Sequence, residues 1–359
     1  MTVKGIKRAE LLAMLIPLPP LAEQKRIVAK VNQLMTLCDQ LESQRDARRK
    51  TQIQLNKSAL NSLTTAPDQP AFKSAWSRIR DHFDHLYDHP QSVAKLRQSI
   101  LQLAVMGKLV PQNPKDEPAS VLLERIKVEK EIKNKEMLVR RRRAIPALQD
   151  SDFPFVPPNG WAFAHFEDIA VIVGGVTKGR KLQGRETAWF PYLRVANVQR
   201  GTLDLNVMKE IEVPVDELVK YRIESGDLLI TEGGDWDKVG RTAIWNGEIE
   251  NCLHQNHVFR ARLIAPSMPQ AWVMRYFNSP VGRRYFEGSS KQTTNLASIN
   301  MTQLRGSPVP IPPLTEQTRI LTRLNQLMTL CDQLESQITN VRDHGQRLLD
   351  ATVAGLVAA

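Results

Sequence analysis

The 359-residue chain carries 49 Lys+Arg against 38 Asp+Glu, a formal net charge of +11, and a sequence pI near 9.6. With 42% hydrophobic and 24% charged residues it has the composition of a folded globular protein rather than a disordered one, and its length favours two or three domains over one core. No apolar run approaches the roughly 18 residues of a membrane span, the opening MTVKGIKRAELLAMLIPLPP lacks a small-residue cleavage site, and the basic excess favours a polyanionic partner, usually nucleic acid.

Residues 1–15 read as the closing turn of a domain, because Ile6 and Leu11 align with Ile299 and Leu304 at an offset of 293. The same offset governs a repeat. IPLPPLAEQKRIVAKVNQLMTLCDQLESQ from Ile16 to Gln44 matches VPIPPLTEQTRILTRLNQLMTLCDQLESQ from Val309 to Gln337, and Asn32–Gln44 recurs unchanged as Asn325–Gln337. A repeat so widely spaced is one element used twice, not a short-period solenoid.

In the first copy, Ile27, Val31, Leu34, Cys38 and Leu41 alternate steps of four and three, the a/d seam of a helix that pairs with another. Pro17, Pro19 and Pro20 suit an extended entry before the helix start. The helical pattern runs to about Leu63 and breaks at TTAPDQPAF, so 16–66 forms the first long-helix unit. Residues 67–150 read as a helical connector. It contains the aromatic stretch Trp76–Tyr87, an amphipathic helix through Val93, Leu96, Ile100, Leu101 and Ala104 that Gly107 would cap, and a helix over about 118–139 ending in Arg140–Arg143.

From Pro154 the character changes. Strand-length runs at Ile169–Val173, Tyr192–Val195, Asp227–Thr231, Arg241–Trp245 and His257–Leu263 are punctuated by Gly174-Gly175, Gly233-Gly234 and Asn246-Gly247 as turns, with helices near Gln270–Phe277 and Pro280–Phe286. Residues 151–308 therefore read as one α+β domain. The second copy, within 309–359, has the cleaner seam: Ile320, Leu324, Leu327, Cys331, Leu334, Ile338, Val341, Gly345 and Leu348. A helix over 315–357 would be about 65 Å long, nearly two turns of DNA at roughly 34 Å each.

Enzymatic motifs are wanting. There is no GxxxxGK[ST] phosphate cradle, no HExxH and no [NDS]PP[YFW] of amino-methyltransferases; Asp116 with Glu131 and Lys133 imitates a nuclease ExK only inside a lysine-rich helix. Cys38, Cys252 and Cys331 have no metal spacing and read as buried thiols of a reducing cytoplasm. The α+β domain instead offers polar, basic turns. One carries Lys178, Arg180, Lys181 and Arg185; a second Arg194, Asn197, Gln199 and Arg200; a third Trp236, Lys238 and Arg241; a fourth His254, Gln255, Asn256 and His257; a fifth Lys291, Gln292, Thr293, Thr294 and Asn295. Arg and Lys hold phosphates, while Arg reads guanine and Asn or Gln reads adenine in the major groove, so these are the candidate DNA-binding residues.

At this point the chain resembles a known family. The two PxPPLxEQxRI runs followed by LMTLCDQLESQ, the segment LRQSILQLAVMGKLVPQNPKDEPASVLLERI, and GWAFAHFEDIAVIVGG, PYLRVANVQRGTLDL, GDLLITEGG and NLASINMTQLRGSPVPIPPLTEQ are similar to the DNA-specificity subunits of type I restriction-modification enzymes. The resemblance implies a mixed α/β target recognition domain at 151–308. It further implies long helices forming an antiparallel coiled coil that spaces two such domains along double-stranded DNA, and docking of modification methyltransferase subunits that bring S-adenosylmethionine. Restriction subunits are possible further partners. The specificity subunit itself is implied to be non-catalytic and to need no cofactor or metal of its own. Where the family alternates two target domains with two helices, this sequence carries both helices around one target domain, so one reader would recognise half of a bipartite site. A homodimer, or pairing with a second partial subunit, would restore two readers; the alternative is a coiled-coil scaffold or inhibitor that occupies methyltransferase without specifying a full site.

Overall fold

The computed structural model describes residues 7–136, 144–182, 184–234, 236–292 and 297–358. Arg140–Arg143 and Thr293, Thr294 and Asn295 lie outside them. After a short helix α1 (Arg8–Leu12), helix α2 spans Leu21–Thr64, starting directly after Pro19 and Pro20 as the sequence dictates. The connector folds into α3 (Gln69–Asp81), α4 (Phe83–Leu86), α5 (Pro90–Val105) and α6 (Ala119–Glu136). Asp68 caps α3 by accepting from the Ala71 amide, and Gly107, at φ 70°, turns the chain out of α5.

The α+β region follows: β1 (Ala162–His165), α7 (Phe166–Ile169), β2 (Ala170–Val173), β3 (Thr187–Leu193), β4 (Lys209–Pro214), α8 (Leu218–Tyr221), β5 (Leu228–Thr231), β6 (Gly233–Gly234), β7 (Thr242–Ile244), β8 (Leu253–His254) and β9 (Val258–Leu263). Helices α9 (Gln270–Asn278) and α10 (Pro280–Ser289), strands β10 (Lys291–Gln292) and β11 (Ala297–Ser298), helix α11 (Met301–Arg305) and strand β12 (Pro308–Ile311) complete it, and α12 spans Leu314–Ala358. The central sheet runs β2-β9-β5-β7, antiparallel throughout. Beside it lies β4-β3-β8, in which β3 pairs antiparallel with β4 and parallel with β8. The expected α+β class and the two long helices are as read from the sequence. Gly233-Gly234, expected as a turn, is instead strand β6, paired with Ala297 and Ser298. The missing side chain permits it: a Cβ on Gly233 would lie 2.4 Å from the Ala297 carbonyl oxygen.

Strand β12 pairs antiparallel with β1, from Ala162 opposite Ile311 to His165 opposite Pro308. Its prolines leave free carbonyls, which accept from the Trp272 indole at 2.7 Å (Pro310) and the Tyr276 hydroxyl at 2.7 Å (Pro308). The strand thus joins the α+β region to α12, whose first turns belong to the same core. Ile320 and Leu324 pack in one cluster with Phe166, Ile230, Trp272 and Phe277, together with Ala104, Val105, Leu122 and Ile126 of α5 and α6. Asp116, in the loop before α6, takes the Arg319 guanidinium, which with the Thr315 hydroxyl and Asn113 amide outweighs burial and holds its carboxyl below the ordinary range.

The two repeat copies meet opposite fates. In the second, Ile320 is 0%, Leu324 1% and Cys331 3% exposed. In the first, the equivalent Ile27 and Val31 are 48% and 49% exposed, and Leu34, Leu41 and Cys38 are exposed too. The long helices do run antiparallel, since Arg49 and Arg342 both lie beside His89 while Leu60 and Leu63 share a cluster with Leu334. The contact, however, uses the C-terminal half of α2. The expected pairing of Ile27, Val31, Leu34, Cys38 and Leu41 with the seam of Ile320, Leu324, Leu327, Cys331, Leu334, Ile338 and Val341 is not made, since the first set is exposed, and Cys38 is not the buried thiol expected. The second-copy seam packs instead against α5, where Leu96, Ile100 and Leu103 face Leu327, Cys331 and Leu334. Arg97 of α5 reaches Glu335 at 2.5 Å and Asp332 at 2.6 Å, and Val341 and Leu348 stay exposed.

Candidate nucleic-acid interface

Backbone pairing draws loops far apart in sequence onto one face of the α+β region. The loop leaving β2 crosses the turn after β8: the Val176 amide donates to the His254 carbonyl and the Asn256 amide to the Val176 carbonyl. That crossing is close enough that a Cβ on Gly175 would lie 2.1 Å from the His254 carbonyl oxygen. The Glu232 amide then donates to the His257 carbonyl, and the Ile299 amide to the Glu232 carbonyl. The 174–186 loop, the 254–257 turn, the 231–241 segment and the β10–β11 hairpin are therefore contiguous, although more than a hundred residues separate their ends. Among the described residues no His, Cys, Asp and Glu group has the arrangement to hold a metal ion.

The candidate residues divide by what their side chains do there. Lys178 and Lys181 stand exposed on the first loop. Arg180 and Arg185 are held in place by acids: Arg180 donates to Glu217 at 2.7 Å beneath the Tyr221 ring, and Arg185 forks to Glu217 at 2.6 Å and Asp216 at 2.7 Å. Burial pushes the Glu217 carboxyl up, but the two guanidiniums outweigh it and leave it lowered. Arg194 donates to the Val207 carbonyl, and Gln199 accepts from Arg241 at 2.7 Å. Arg200 reaches the carbonyls of Asp237 and Val239. Half-buried Gln255 and Asn256 and exposed His257 form the turn, His257 donating to the Glu232 carboxylate at 2.6 Å. Trp236 and Lys238 lie on a single turn between β6 and β7, and Lys291 and Gln292 on β10.

Two candidates are corrected. Asn197 is 3% and His254 0% exposed. Asn197 donates to the carbonyls of Asp204 and Val207, closing the loop after β3, and its oxygen accepts from the Arg194 amide. His254 donates through Nδ1 to the Val258 carbonyl at 2.6 Å. Both brace the face from behind and cannot reach a base edge. Burial pushes the His254 pKa down to about 4. Because the folded value lies below the unfolded one near 6.5, the unfolded chain takes up the proton first as pH falls. Wild-type stability should decline from about pH 6.5 to about 4, and His254→Gln should flatten that decline when urea midpoints are compared at pH 7 and pH 5.

Pattern reasoning missed the acids that hold Arg180 and Arg185, Asp216 and Glu217, as well as Glu232, which holds His257, and Arg283 on α10. No local signal distinguishes these residues from ordinary surface charges, since their partners are distant in sequence.

The family model for the type I restriction modification DNA specificity domain matches residues 158–341. The chain belongs to this specificity family. Among relatives, the EcoEI specificity subunit of a type I restriction enzyme from Escherichia coli is 32% identical over 342 residues, covering 94% of this chain and 57% of that protein. The EcoAI specificity subunit, also from Escherichia coli, is 32% identical over 350 residues with the same coverage. The chain thus spans somewhat more than half the length of these curated family members. The crystal structure of an HsdS subunit from Thermoanaerobacter tengcongensis aligns over 97% of this chain and 62% of that one, at 18% identity and a TM-score of 0.39. Among the described residues no helix is long and apolar enough to cross a membrane.

Proposed function

We propose that this chain is the sequence-reading subunit of a type I restriction-modification complex. Its α+β region, residues 151–308, reads one half of a bipartite DNA target, and the long helices dock modification methyltransferase subunits that carry S-adenosylmethionine and the chemistry. The observation that carries the reading is the contiguous face: basic and amide side chains from distant loops are brought together by backbone pairing on a family-typical domain. Phosphate contacts from such a face position the duplex, and amide and guanidinium groups read base edges.

A second reader comes from a homodimer or a partial specificity chain. The support is the first repeat copy, whose apolar seam is exposed in α2 although its equivalents Ile320, Leu324 and Cys331 are buried in α12. An unpartnered seam of that length belongs against another helix.

The test is to co-express the chain with its methyltransferase and map methylation, then repeat with 151–308 exchanged for the reader of another family member. The methylated sequence should change with the exchange; an unchanged sequence overturns the reading, and assembly with no preference among DNA sequences favours a scaffold. A palindromic site would report two copies of this reader, an asymmetric site a different second chain.

A further inference from the structure

Three arginines from separate elements converge beside the turn between β6 and β7. Arg241 leads into β7, with its side chain 13% exposed. It forks across Asp237, donating through Nε to the backbone carbonyl at 3.2 Å and through Nη2 to the carboxylate, while Nη1 donates to Gln199. Arg200 enters from the loop after β3, pinned because the Gly201 amide donates to the Thr242 carbonyl, and gives its Nη2 to the Asp237 carbonyl at 2.6 Å. Arg283 comes from α10, which seats directly on the turn: a Cβ on Gly240 would lie 2.3 Å from Phe286. Among the described residues Arg283 pairs with Glu287 at 3.6 Å, longer than a charge-assisted hydrogen bond.

The site is short of acceptors. Nη1 of Arg200 and Nε of Arg283 are buried with no hydrogen-bond partner among the described residues. Burial, with Arg283 and Arg241 alongside, brings the Arg200 pKa down to about 10. Asp237 faces this concentration of charge with its carboxylate 62% exposed, so it can swing away without unpacking the core.

We propose that Arg200, Arg241 and Arg283 form a site for one DNA backbone phosphate, whose place against Arg241 the Asp237 carboxylate takes in the free protein. This rests on the DNA-reading assignment above. A DNA phosphodiester has the same charge sign as the carboxylate, and its two non-bridging oxygens are spread tetrahedrally over a wider span than the carboxylate's planar pair, so it reaches the nitrogens of Arg200 and Arg283 that have no partner among the described residues. Displacing the Asp237 carboxylate would loosen the turn that carries Lys238 while its backbone stays tied through the Asp237 and Lys238 carbonyls, coupling phosphate binding to the position of that turn on the duplex.

The full chain is titrated onto a labelled duplex of arbitrary sequence, about 30 bp long, at several salt concentrations, since phosphate contacts need no target sequence. Arg283→Gln should weaken binding on the order of 10-fold and reduce the log–log salt slope by about one, with Arg283→Lys recovering part of the loss. Asp237→Asn should tighten binding several-fold. That opposite sign separates a placeholder from a merely structural ion pair, whose loss would weaken binding, and thermal melts of each variant confirm folding. If the wild-type chain shows no salt-dependent binding, the DNA assignment itself fails. If wild type binds but Asp237→Asn weakens binding or leaves it unchanged, or Arg283→Gln leaves the slope intact, the phosphate site alone is overturned.

Discussion

Ile320→Ala will lower the stability of this chain by about 3 kcal/mol, while Ile27→Ala, the same substitution at the equivalent repeat position, will cost less than about 0.5 kcal/mol. Ile320 is 0% exposed, and its cluster extends to the central sheet, α5 and α6. Deleting its side chain loses transfer free energy and leaves a cavity that strand β12 and the helices around it cannot collapse to fill. Ile27 is 48% exposed and has little to lose. Urea denaturation of both variants, read by midpoint at unchanged slope, checks the contrast. Equal costs would mean that the first copy is covered in the monomer after all. A cost for Ile27→Ala that appears only in the presence of a second specificity chain or the methyltransferase would locate the missing cover.

That contrast marks where sequence reading succeeds and where it stops. The long helices were legible because the four-three spacing and the entry prolines are local facts, and α2 and α12 fall within a residue or two of where those facts put them. Most central strands were legible for the same reason, as short β-branched runs between glycines. What escaped was pairing. Nothing in NQLMTLCDQLESQ says which copy will be buried, because burial is decided by whether α5 and strand β1 stand beside it. The extended entry expected of Pro17, Pro19 and Pro20 precedes α2, but the matching segment of the second copy, assigned with 309–359 to the long helix, is strand β12, because β1 offers a partner and Trp272 and Tyr276 satisfy its carbonyls. The site shows the same limit. Basic loops could be found by composition, but the division into exposed Lys178 and Lys181, acid-held Arg180 and Arg185, and buried Asn197 and His254 depends on residues tens of positions away.

Gly175→Ala will cost about 2–3 kcal/mol and weaken DNA sequence preference, while Gly288→Ala on α10 will stabilise by about 0.5–1 kcal/mol. The new methyl at 175 would meet the carbonyl oxygens of His254 at 2.1 Å and Gln255 at 2.4 Å, and the Gln255 carbonyl carbon at 2.6 Å. All three are backbone atoms, so no rotamer change relieves the overlap and one strand of the crossing must move. Movement breaks the two backbone hydrogen bonds through Val176 that join the 174–186 loop to the 254–257 turn. It also disturbs His254, whose ring ties that turn to β9. Since the turn holds Glu232 and through it the 231–241 segment, the displacement spreads across the whole face rather than staying at one residue. Gly288 has nothing within 4 Å of its would-be Cβ and sits in a helix, where alanine is favoured. Binding of the variants to a methylation-mapped target and to arbitrary duplex, at one salt concentration, separates the effects. Gly175→Ala should narrow the ratio between the two sequences by 10-fold or more while keeping the salt-dependent binding that phosphate contacts supply. A variant that keeps the full ratio would show that the crossing carries stability alone, and that the readers of sequence lie elsewhere on the face.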